Sequence, residues 1–208
     1  MTVDLTSQAS PDFVSVLSLA ATAYQGQRND RPSAEVVVNA LVQAEKAAKQ
    51  QRVTYPFECL VGQWRLCFVT GTRKVRKKAG IVLGKGFYLP KLAPTHISFN
   101  TTQASDATPG TAEISNSVQL GAVLLKLQGP AQYPGKKNLL AFDFIQMQIS
   151  LFGRVIYSGQ IRGGKGQAEN FYSQPVAKLP FFAFFLVTED LIAARGRGGG
   201  LALWIREK

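Results

Sequence analysis

Pro56 divides the sequence into two regions of different period, and that change constrains the fold more than any other feature. Before it, apolar residues recur every third or fourth position: Phe13, Val16, Leu17, Ala20 and Tyr24 trace one face, and Gly26 ends the pattern. After the linker QRNDRP, Ser33 fits a helix N-cap, and Val37, Leu41, Ala44 and Ala48 form a second face. The spacing predicts two amphipathic helices, which need another surface to cover.

After Pro56 the period is two. Trp64, Leu66 and Phe68 alternate with Arg65, Cys67 and Val69 between Gly62 and Gly71. Further strands are expected over Gly80–Pro90, Thr95–Asn100, a hairpin over Thr111–Gly129, Leu139–Ile149, Gly153–Ile161, Phe181–Val187 and Leu201–Glu207, with Thr188–Gly200 as the last connection. Within Leu139–Ile149 the alternation persists while its apolar face changes, which predicts a bend or bulge near Phe144. No helical segment alternates with these strands, so a parallel α/β fold is not expected. Eight or nine antiparallel strands close into a barrel or stack as a sandwich, and closure removes exposed edges. The expected organisation is a helical segment, 1–55, packed on a β-barrel, 56–208, in one folding unit.

Composition narrows the function classes. Apolar residues are 46% of the chain and charged ones 18%, which suits a protein that turns apolar surface toward a ligand or membrane. The longest apolar run, Phe181–Val187, is far too short to span a bilayer as a helix. The acidic, small-residue start is unlike a secretory signal. The net charge of +11 is concentrated in 51–138, above all in Arg73–Lys78. Such a cluster attracts anionic surfaces through its long-range field. Lys74, Arg76, Lys77 and Lys78 are therefore candidates for lipid headgroups.

Chemistry-bearing residues are sparse. His96 is the sole histidine, Cys59 and Cys67 are expected as reduced thiols, and no metal-ligand spacing is present. Asp190 is expected to pair with a nearby arginine such as Arg195. Gly159–Gly166 follows a phosphate-binding loop pattern for seven positions, then has Gly166 where a hydroxyl residue should hold magnesium.

Two segments carry a resemblance. Thr188–Arg206, with Asp190, Leu191, Arg195, Gly196, Gly198 and Gly199, resembles the C-terminal signature of the plastid lipid-associated protein (PAP/fibrillin) family. Leu60, Gly62, Trp64, Leu66, Phe68 and Thr70 resemble its first strand, and Gly26 and Arg31 its helical prelude. Ala193 and Ala194 depart from the more polar residues usual there. A chain this short resembles a cyanobacterial member, and a processed plastid protein would look similar.

The resemblance implies a lipocalin-like barrel, mainly β, that is non-enzymatic, needs no cofactor and meets thylakoid membrane or lipid globules from the cytoplasmic or stromal side. Expected partners are an apolar lipid or isoprenoid ligand, a peripheral anionic membrane surface and a protein partner; nucleic acid is not expected. Trp64, Leu66, Phe68, Phe142, Phe144, Tyr157, Phe182, Phe184 and Trp204 are the cavity candidates. Were they to fill the barrel instead, the protein would act as an adaptor or scaffold; a small-molecule enzyme is the third alternative.

Overall fold

The computed structural model describes residues 12–26, 30–74, 81–102, 110–161 and 170–207. Helix α1 (Asp12–Gln25) buries Leu17, Ala20, Ala21, Ala23 and Tyr24, and Gly26 ends it at a φ of +88°. Helix α2 (Ala34–Gln51) starts where the Ser33 hydroxyl accepts from Val36 N at 3.4 Å. It buries Val37, Ala40, Leu41, Ala44 and one charged residue, Glu45.

Eleven strands follow among the described residues: β1 (Gly62–Lys74), β2 (Ile81–Tyr88), β3 (Thr95–Thr101), β4 (Thr111–Leu120), β5 (Val123–Gln132), β6 (Leu139–Phe142), β7 (Gln146–Leu151), β8 (Arg154–Gln160), β9 (Phe181–Val187), β10 (Leu191–Gly196) and β11 (Leu201–Arg206). Every pairing is antiparallel. The path β4-β3-β1-β11-β10-β9-β6-β5 closes because β5 also pairs with β4, so eight strands form a closed barrel preceded by two helices. Closure, which alternation alone left open against a sandwich, comes from β5 having partners on both sides. β2 lies beside the second half of β1, and β7 and β8 extend the sheet from β5.

The expected bend is present. β6 ends at Phe142, β7 begins at Gln146, and both pair with β5. Inward residues are even-numbered in β6 (Leu140, Phe142) and odd-numbered in β7 (Met147, Ile149), so 143–145 change which parity faces inward. Gly129 makes room for this kink: a Cβ there would lie 1.9 Å from the Asp143 carbonyl oxygen.

The last connection is corrected. Leu191–Gly196 is a full strand, β10, paired on both sides. Leu191, Ile192, Ala193 and Ala194 are all buried, because one face meets the helices and the other the barrel interior. A strand buried on both faces has no polar alternation to announce it, and its glycine-rich neighbour reads as loop.

Two apolar clusters result. An outer one joins both helices to Cys67, Phe68, Phe185, Leu191, Ala193 and Leu203 on the barrel wall. An inner one fills the barrel with Trp64, Phe99, Ile114, Leu140, Phe184, Ile192 and Trp204. Burial among these groups pushes the Cys67 thiol far above its ordinary pKa, so it packs as an apolar residue.

Candidate functional site

One end of the barrel is sealed. Trp64 Nε1 donates to Leu60 O at 2.7 Å, and the Arg206 guanidinium lies 3.9 Å from the Trp64 ring centre. Arg206 also donates to Val61 O at 3.0 Å and Cys59 O at 3.2 Å, while Phe57 packs 5.7 Å from Tyr133. The segment before β1 is thereby fixed as a floor.

Above the floor the interior is solid. Trp64 and Phe99 are 0% exposed, and Phe184 packs edge-on against Phe99 with ring centres 5.8 Å apart. An aromatic chain then leads outward: Trp204 to Phe182 at 5.5 Å, Phe182 to Phe142 at 4.9 Å, Phe142 to Phe144 at 5.3 Å. Phe182 and Phe144, together with Leu66, are only half-buried.

The inward-facing surface does not stop there. In antiparallel pairs, directly opposed residues share a face. Ile114 lies in the inner cluster, and two and four residues on along β4 the register forms the rows Asn116–Leu127–Met147 and Val118–Leu125–Ile149–Tyr157. A third row, Leu120–Val123–Leu151, completes the apolar face at the hairpin tips, where Arg154 stands opposite Leu151 as its charged edge. Beyond the closed barrel, β4, β5, β7 and β8 therefore form a flap whose apolar face continues the barrel lining. These side chains are half-buried or exposed, unlike those of the filled interior. Tyr157 lies along the flap over Gly159, where a Cβ would come within 2.4 Å of its hydroxyl. The opposite face carries Ser115, Ser117, Lys126, Gln128, Gln146 and Gln148, as alternation requires.

One polar group interrupts the apolar face. The Asn116 amide oxygen is buried and has no hydrogen-bond partner, at the row where flap meets barrel. A buried acceptor left in this state costs roughly 1–3 kcal/mol, which a donor from a bound molecule would relieve.

The nine cavity candidates thus separate. Trp64, Phe184 and Trp204 are core, Phe142 is 8% exposed, and Leu66, Phe144 and Phe182 border the opening. Phe68 points outward under the helices, since the β1 register shift between Leu66 and Phe68 turns it to that side. Tyr157 is on the flap, 47% exposed. Val118, Leu125, Leu127, Met147 and Ile149 were not among the candidates. Their signal was the plain alternation of β4, β5 and β7, which does not reveal that the inner face outlasts the closed barrel.

The motif residues have structural positions. Gly62 takes a φ of +122° beside Arg206, and Gly199 takes +88° in the β10–β11 turn, where its N–H donates to Gly196 O at 2.8 Å. Gly198 belongs to the same turn and Asp190 to the exposed turn between β9 and β10. Arg195 does not take up the expected pairing with Asp190. Its Nε donates to Glu45 Oε1 at 2.8 Å and its Nη2 to Glu45 Oε2, joining α2 to β10. Sequence reading missed this because the partners are 150 residues apart. Lys74 ends β1, whereas Arg76, Lys77, Lys78 and most of Gly159–Gly166 lie outside the described residues.

His96 Nε2 is 3.2 Å from Glu207 Oε1, and Arg65 Nη1 is 3.9 Å from the same oxygen. The Glu207 N–H donates to Gln63 O at 2.9 Å, so the cluster fastens the chain after β11 to the barrel wall. Among the described residues no group of three or more His, Cys, Asp or Glu could hold a metal ion. No described helix is long and apolar enough to cross a membrane. A concavity of about 300 Å³ lies on the polar side of the flap, with a mixed lining of Ile114, Pro130, Ile145 and Tyr172 beside Glu113 and Gln128. No protein-family model, curated protein or solved structure matches this chain.

Proposed function

We propose that this protein is a non-enzymatic carrier that holds an apolar molecule against the inner face of the flap, with the closed barrel acting as a solid support. The observation that carries the reading is the continuity of the apolar lining beyond the filled interior, through Leu127–Met147 and Val118–Leu125–Ile149–Tyr157. Covering the exposed part of one such half-buried side chain contributes about 1 kcal/mol, so a ligand must lie along most of the face to reach micromolar binding. An elongated isoprenoid, quinone, carotenoid or acyl chain matches a face of this shape. The lone Asn116 acceptor favours a molecule with one hydroxyl near an end. The resemblance to lipid-associated proteins of photosynthetic membranes points the same way.

Fluorescence titration with a conjugated polyene fatty acid tests this. Ile149→Glu places a charge in the middle row and is expected to weaken binding at least about tenfold while leaving the circular dichroism spectrum intact. Asn116→Val is expected to weaken a long-chain prenol by about tenfold and to leave the corresponding hydrocarbon unaffected or tighter. Binding unchanged by Ile149→Glu sinks the proposed site.

The filled barrel also supports the adaptor reading, since Trp64 and Phe99 leave no central cavity. That reading asks for a compact apolar patch on the helices. The exposed valines of α2, Val36 and Val42, lie six positions apart and so about 120° around the helix. They form no such patch, and the carrier reading is preferred.

A further inference from the structure

We propose that the paired tips of the β4–β5 and β7–β8 hairpins insert into the headgroup region of an anionic bilayer, with Phe152 as the leading side chain. The two tips are held level. Val123 pairs with Leu151, and Phe152 N donates to Ala122 O at 2.9 Å across the adjoining turns. They carry Leu120, 59% exposed, Val123, 38%, Leu151, 36%, and Phe152, 82%. Leu92, 90% exposed, sits on the loop that Pro94 ties to β4 by accepting from Gln119 N at 3.0 Å. Scattered exposed apolar residues need no explanation, but these converge on one end of the molecule.

Phe152 gives independent support. It occupies the first central position of a two-residue hairpin turn at a φ of +49°, followed by Gly153 at +77°. Such a turn selects Asn or Asp followed by Gly, because a bulky side chain is strained at positive φ. Phenylalanine there stabilises neither the turn nor a core, which leaves its ring free for contact outside the molecule.

Charge identifies the surface. From 114 to 168 the chain contains a single carboxylate, Asp143, and Asp143 lies at the kink rather than at the tips. Exposed Arg154 flanks Phe152, and Lys126 lies farther along β5 on the polar face. Apolar side chains at the leading edge with cations behind them fit acyl chains beneath anionic headgroups. The apolar face also runs from the tips to the half-buried Phe144 and Phe182. This orientation would open the flap toward the membrane interior, a consequence that rests on the carrier reading above; insertion itself does not.

The test is sedimentation of the purified protein with vesicles of phosphatidylcholine alone and of phosphatidylcholine with phosphatidylglycerol in equal parts. Wild type is expected to bind the mixed vesicles more tightly and to release with salt. Phe152→Asn is expected to weaken vesicle binding about tenfold or more. Because Asn accepts positive φ, its melting temperature should be equal or higher, which excludes misfolding as the cause. Polyene fatty acid binding in solution should survive Phe152→Asn, whereas Ile149→Glu should abolish it, so the two proposals fail separately. Vesicle binding unchanged in Phe152→Asn would overturn the insertion and assign membrane contact to another surface, such as the basic segment 73–78. A dimer in vesicle-free solution that Phe152→Asn dissociates would also overturn it, by giving the tips to a second copy.

Discussion

Gly129→Ala is expected to destabilise the protein by about 4 kcal/mol or more, placing it among the most damaging single-methyl additions available in this chain. The added Cβ would meet the Asp143 carbonyl oxygen at 1.9 Å and Ile145 N at 3.2 Å. Both are main-chain atoms, fixed to β5 by Asp143 N donating to Pro130 O at 3.1 Å and Ile145 N to Gln128 O at 3.0 Å. Neither a rotamer change nor a small shift removes the clash. The kink between β6 and β7 must open, which breaks the barrel seam where β5 meets β6 or detaches the flap. Urea unfolding followed by circular dichroism measures the effect. Gly71→Ala is the control: a Cβ there meets nothing within 4 Å, and the change is expected to stay within about 0.5 kcal/mol. Comparable midpoints for the two variants would show that the kink is not held as described.

Arg195→Leu should have the second-largest effect, a loss of roughly 3 kcal/mol with a melting temperature lower by about 6–12 °C. Glu45 is a buried carboxylate with its side chain 10% exposed, and Arg195 bonds both of its oxygens. Removing the guanidinium leaves Glu45 with Lys49 at 2.9 Å, whose side chain is 74% exposed and mostly hydrated. Arg195→Lys should recover little of the loss, because an ammonium cannot reproduce the forked geometry. The effect carries a pH signature. Burial raises the Glu45 pKa, but hydrogen bonds from Arg195 and Lys49 outweigh it and hold the carboxyl below its ordinary value. The pair's contribution is therefore complete above the unfolded glutamate pKa and fades as pH falls through the lower folded one. In Arg195→Leu burial dominates, the folded pKa rises, and acidification favours the folded state. The gap between wild type and variant should begin to narrow above the ordinary glutamate pKa, as the variant's Glu45 takes up a proton, and go on narrowing below about pH 4 as the wild-type pair is lost. A gap that stays constant from neutral to acid pH would show that Arg195 acts through packing alone.

These variants probe features that the sequence exposes to different degrees. Ser33 was readable as an N-cap because capping involves residues three positions apart. The bend near Phe144 was readable because a change of inward parity is a local property of the alternation. Gly129, which makes that bend possible, was not, since the atom it accommodates belongs to Asp143, fourteen residues later in the kink between β6 and β7. The same holds for Arg195: its motif neighbours were visible, but the choice of Glu45 over Asp190 depends on where α2 docks. At the candidate site, aromatic residues drew attention by size, whereas several of them fill the core. The aliphatic residues of β4, β5 and β7 define the open face.

Local periodicity by itself determined two helices followed by an antiparallel, mainly β structure, because period 3.6 and period 2 are properties of neighbouring residues. Which strands close the barrel, which side chains fill it, and where its lining emerges as an exposed apolar face were decided only by tertiary pairing. β5 is the reason. One strand pairs with β4 along its whole length, with β6 at one end and with β7 at the other, so it belongs to the closed barrel and the flap together. Alternation fixes which residues share a face of such a strand, but the partners on either side decide whether that face is buried in a core or left open.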